Sequence, residues 1–88
     1  MRELINEEVS VVMYFSAKQR LALPHLVHWK NKDYPVGEVG FHHTVWEGKT
    51  LHHIYELVDK DKSLWLRLNF DTSNLHWTLE AISDGLAD

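Results

Sequence analysis

The chain has 88 residues, 44% of them hydrophobic and 25% charged, which makes one small domain with enough apolar mass for a single core. Nine Lys and Arg against thirteen Asp and Glu give a net charge of −4, which disfavours binding that relies on neutralising phosphates, so nucleic acid is not the expected partner. Cysteine is absent, which excludes disulfides, thiol nucleophiles and thiolate metal sites.

The first eight residues, "MRELINEE", mix charges without an apolar centre. They read as a short helix or a flexible arm rather than a signal peptide, and a cytoplasmic location is the expectation. The longest apolar stretch, "VVMYF", is a strand's length and far too short to cross a membrane. From Val9 onward the chain alternates apolar and polar residues in short runs: 9–15, 25–30, 34–46, 51–58, 63–70 and 75–82. The segment "SAKQRLALP" before the second run suggests a helical turn that Pro24 stops. The connectors "NKD", "EGKT", "DKDK" and "DTSN" have turn composition.

Parity tests this layout, because strand side chains alternate between faces. Loops at 59–62 and 71–74 pair Leu57 with Leu64, Tyr55 with Leu66, Phe70 with Leu75 and Leu68 with Trp77, placing apolar residues on one face. In the third run Tyr34 and Val36 differ in parity from Val39, Phe41 and Val45. That implies a bulge or bend, for which Gly37 and Gly40 are suited. The expected fold is all-β: a small antiparallel meander of five to six strands, curled into an SH3-like barrel or a strongly bent sheet. It occupies residues 1–88 as a single domain, with 83–88 as a tail. The stretch "HWKNKDYPV" (28–36) resembles the charged turn and aromatic strand start of small barrels such as SH3 and tudor-like modules, a likeness of architecture without a discriminating motif.

Four of the seven histidines lie in "FHHTVWEGKTLHH" (41–53). A three-residue loop at 46–48, with Gly48 left-handed, would set His42 opposite His52 on the outer face and turn His43 and His53 toward the core. Extending the outer row brings Asn69 and then His76 alongside. Opposed imidazoles with Cβ atoms ~5 Å apart suit zinc or copper, but two ligands fall short of the three that catalytic zinc needs. His42, His52 and His76 are therefore the candidate metal ligands, with His76 supplied by a neighbouring chain. The opposed pair is also a candidate pH-responsive element, and plain surface filling is the bland alternative.

No nucleophile elbow, phosphate loop or zinc signature is present. A row of Glu38, Glu56 and Glu80 offers carboxylates for acid–base chemistry, but an open sheet face gives little desolvation to tune them. The same expected face carries Ile54, Val58, Trp65 and Ile82 around Arg67, a composition found at binding hot spots. The leading expectation is a non-enzymatic binding or adaptor module, meeting a protein partner or a second copy through Trp65, Arg67 and Ile54, with Trp46 at the hairpin tip. No cofactor is required. The alternatives are a histidine-based metal-binding or pH-responsive protein and a small enzyme using the glutamate row. A homodimer is expected from the two edges of an open meander.

Overall fold

The computed structural model describes residues 2–84. It contains six strands: β1 (Arg2–Ser16), β2 (Leu21–Trp29), β3 (Lys32–Glu47), β4 (Thr50–Asp59), β5 (Trp65–Asp71) and β6 (His76–Ser83). Each strand pairs antiparallel with its neighbours in sequence, and β1 pairs with β6, so the meander closes on itself. The all-β antiparallel expectation holds. No helix among the described residues is long and apolar enough to cross a membrane.

Two long strands make the closure possible. The first part of β1 (2–9) pairs with β6, and the rest (10–16) pairs with β2. Likewise β3 pairs with β2 only from Lys32 to Pro35, and from Val36 to Glu47 it pairs with β4. The molecule is thus two sheets that share β1 and β3 at their corners. The arm or helix expected over residues 1–8 is instead strand from Arg2 onward. Its charged residues are exposed, while Ile5 and Val9 pack on the core. A bulge between Leu4 and Glu7, where Asn6 takes a φ of 53°, bends β1 along β6. The helical turn expected before Pro24 is a tight turn at 17–20, and Leu21 already pairs with Ser16.

The core is built from Val27, Tyr55, Leu57, Leu66, Leu68, Trp77 and Leu79, contributed by β2, β4, β5 and β6. Each buried leucine contributes roughly 1.5–3 kcal/mol on transfer from water. The inward parity of β4 and β5 agrees with the sequence reading, but both registers are displaced by two residues. Leu57 faces Leu66, Tyr55 faces Leu68 and Phe70 faces Trp77. A two-residue slip preserves the faces, so alternation alone could not detect it. A further bulge between Arg67 and Leu68 on the β6 pairing shifts the end of β6. Ile82, expected outward, therefore packs against the core, while Ala81 and Ser83 are buried outside its central cluster.

The β3–β4 hairpin departs most from expectation. It turns through two residues, Gly48 and Lys49, between paired Glu47 and Thr50, with Gly48 at φ 62°. It also carries two bulges, one at Gly37 and one at Gly40. Each bulge reverses side-chain parity. After the second, Phe41 and Val45 face outward and His42 faces inward across from Tyr55. The expected register, with His42 opposite His52 and Phe41 opposite His53, does not form.

Candidate functional site

Below Leu26 and Pro35 the two sheets part. On one side of the opening, residues 21–25 of β2 pair only with β1; on the other, residues 36–47 of β3 pair only with β4. Both strands therefore present backbone edges to the gap. An unpaired edge is a template for another strand, and proteins ordinarily blunt it with charges, proline or cover. Along 36–47 only Glu38 and Glu47 carry charge, while Phe41, Val45 and Trp46 are all exposed.

Beneath this gap lies a cavity of about 360 Å³ lined by Met13, Ala22, His53, Tyr55, Phe70 and Trp77. Its wall is aromatic: Phe70 and Trp77 have ring centroids 4.6 Å apart, and Tyr55 lies 5.7 Å from Trp77. His42 stacks on Tyr55 at 4.3 Å with the rings nearly parallel. Its Nε2 lies 2.8 Å from Nδ1 of His53, a hydrogen bond in which one ring nitrogen donates to the other. Burial, and then the neighbouring charges of His53 and His43, lower the His42 pKa below the ordinary histidine value. The Tyr55 hydroxyl donates to the Ala22 carbonyl at 3.3 Å, tying β4 to the β1–β2 ribbon across the gap. Burial raises the Tyr55 pKa, so the phenol stays a neutral donor. The ribbon beyond it is apolar and exposed at Val12, Tyr14, Phe15 and Leu21.

The outer face of the larger sheet is different in character. Arg67 donates through Nε to Glu80 at 2.9 Å and lies 3.7 Å from Glu56. Asn69 donates its Nδ2 to Glu80 and accepts from His52 Nδ1, both at 2.8 Å, so His52 carries its proton on Nδ1. A Glu47 carboxylate oxygen lies 3.7 Å from the other nitrogen of His52. Of the contact residues expected there, Ile54 is only 3% exposed and cannot present a contact surface. Trp65 is half-buried with the Arg2 guanidinium 4.5 Å above its ring. Arg67 is held between its two carboxylates, and Trp46 stands exposed at the hairpin tip. Of the glutamate row, Glu56 and Glu80 are tied to Arg67, while Glu38 is exposed on β3.

The three histidines proposed as ligands are not brought together. His42 faces His53, His52 bonds Asn69, and His76 Nδ1 lies 2.9 Å from Glu8 beside an open depression next to Trp29. Among the described residues no group of three or more His, Asp or Glu is placed to hold a metal ion.

The chain matches no family model, no curated protein and no solved structure. The residues of the gap were individually visible in the sequence as aromatics and histidines. Their convergence depends on the Gly40 bulge and on closure by β1, for which the alternation pattern carries no signal.

Proposed function

We propose that this protein is a non-enzymatic binding module that takes an extended segment of a protein partner along the β3 edge, with side chains seated in the aromatic cavity. The observation that carries this reading is the free β3 edge at 36–47 next to that cavity, whose lining residues Tyr55 and His53 pair with His42 and Thr44 of β3. In strand addition, main-chain hydrogen bonds supply affinity, and pockets for alternate side chains supply specificity. The exposed Phe41, Val45 and Trp46 supply the rim, and Tyr55, Phe70 and Trp77 the anchor pocket. This moves the contact surface away from Trp65 and Arg67, whose neighbours already satisfy them. It likewise disfavours acid–base catalysis at Glu56 and Glu80, whose carboxylates are engaged by Arg67 and Asn69.

Selection of peptides from a random display library against the protein, followed by NMR mapping of the bound peptide, tests the reading. Expected are peptides with a large apolar anchor that perturb backbone amides of residues 41–47 together with the Trp77 indole. Failure to select any peptide, or perturbations confined to the outer face around Trp65, would overturn it.

A further inference from the structure

We infer that the segment taken at the β3 edge is β3 of a second copy of this chain, the two strands pairing antiparallel about a two-fold axis at His43. This rests on the reading of the β3 edge as a pairing surface and names its partner.

The argument is self-complementarity. A two-fold interface must match its own surface, residue i meeting j and j meeting i. With the outer faces of both sheets on the same side, a register centred on His43 sets Phe41 of each copy opposite Val45 of the other. These are the outward apolar residues of this stretch, 52% and 43% exposed. Cross-strand pairs of an aromatic and a β-branched residue are among the favourable ones in sheets. On the cavity face the same register sets His42 opposite Thr44. It sets Trp46 opposite Gly40, whose Cβ position is open apart from the Glu56 carbonyl oxygen at 3.8 Å. Aromatic cover of a glycine is a recognised cross-strand device. Glu47 falls opposite Val39, so no carboxylate meets another.

Neighbouring registers are worse. Centring on Thr44 sets Phe41 against Glu47, and centring on His42 sets Glu38 against Trp46.

Sedimentation equilibrium from about 1 µM to about 1 mM protein tests the inference. The wild type is expected to dimerise. Phe41→Lys and Val45→Glu are each expected to weaken self-association at least tenfold, roughly the effect of losing the paired apolar contacts. Leu4→Lys, at a still more exposed apolar site on β1, should leave it unchanged. Both strand positions are exposed enough to tolerate charge, and near-UV circular dichroism verifies the fold. The register is tested by mixing Phe41→Lys with Val45→Glu, which sets Lys opposite Glu in the heterodimer and should restore association. A wild type that stays monomeric throughout, a dimer indifferent to both substitutions, or a mixture that fails to associate would overturn the inference. A monomer that still binds selected peptides along 41–47 sinks the self-pairing alone; one that binds none sinks the strand-addition reading with it.

Discussion

Nε2 of His42 lies 2.8 Å from Nδ1 of His53, and the two rings stack 5.1 Å apart inside the mouth of the barrel. The contact is a consequence of Gly40. The bulge there reverses the parity of β3, so His42 turns inward onto Tyr55 while His43 turns out opposite Ile54. One residue without a bulge would exchange the two histidines and open the aromatic stack. The position of a glycine thus decides which imidazole sits beside the cavity.

The His42–His53 pair predicts an acid-sensitive mouth. The His42 pKa is held below its ordinary 6.5 by burial, then by His53 and His43. A depressed histidine binds its proton more weakly folded than unfolded, so its contribution is intact above pH 6.5 and is lost as pH falls through the lower folded value. NMR titration is expected to show His42 ring signals moving at lower pH than an unperturbed histidine. Unfolding midpoints should fall over the same interval, and His42→Phe should flatten that limb. A His42 titrating at or above the ordinary value would refute this.

Gly37 predicts a steric lesion. A Cβ at this position would lie 2.6 Å from the Asp59 carbonyl oxygen and 2.9 Å from Lys60 Cα, both backbone atoms that cannot swing aside. Lys60 donates its N–H to the Pro35 carbonyl here, locking the corner of β3 onto the β4–β5 turn. Gly37→Ala should cost about 1–3 kcal/mol, as overpacking does. Gly40→Ala, with 3.8 Å of clearance, should cost distinctly less. Urea denaturation of both variants measures the difference.

Asp59 predicts a second weak point in acid. Its burial raises the carboxyl's pKa, but hydrogen bonds from Leu64 N–H, Ser63 N–H and the Ser63 hydroxyl outweigh that and hold it below the usual value. Such a group stabilises the fold above its unfolded pKa, and the contribution disappears as pH falls through the lower folded value. Asp59→Ala leaves two backbone donors without their acceptor and should cost about 1–3 kcal/mol near neutral pH. The difference from wild type, followed by denaturation against pH, should shrink below pH 3.8, the ordinary carboxyl value.

Much of this architecture is legible in the alternation of apolar residues. The inward faces of β4 and β5 are those that Tyr55, Leu57, Leu66 and Leu68 announce. Register is less accessible, because slipping by two residues keeps every side chain on its face. Here the Asp59 turn, with Lys62 at positive φ, lengthens the first loop to 59–64, whereas the second keeps its length and moves by one position to 72–75, with Leu75 at positive φ. The first strand escapes notice because "RELINEE" has the composition of a solvated arm. It becomes a strand through pairing with β6, a contact between the two ends of the chain. The gap between β2 and β3 is hidden for a similar reason: it exists because β2 stops pairing at Pro35, where β3 turns the corner toward β4.

The bond across that gap supplies the last prediction. Tyr55 O–H to the Ala22 carbonyl is a side-chain tether from β4 to the β1–β2 ribbon, and Met13 and Ala22 reach the cavity from that ribbon. Tyr14 and Phe15 of the ribbon are 62% and 63% exposed, so their burial adds little to hold it down. Replacing Tyr55 by Phe keeps the ring stack with His42 and Trp77 and removes only the tether. The global cost should be about 1 kcal/mol, that of one neutral hydrogen bond. The local effect should be larger in kind: amides of residues 13–16 and 21–24 should exchange hydrogen faster, while those of Leu68 and Leu79 slow or quicken only with global stability. If the ribbon's exchange follows the core's in proportion, the tether does not hold it, and the hydrophobic contacts of Leu23 and Val11 with the core must do so instead.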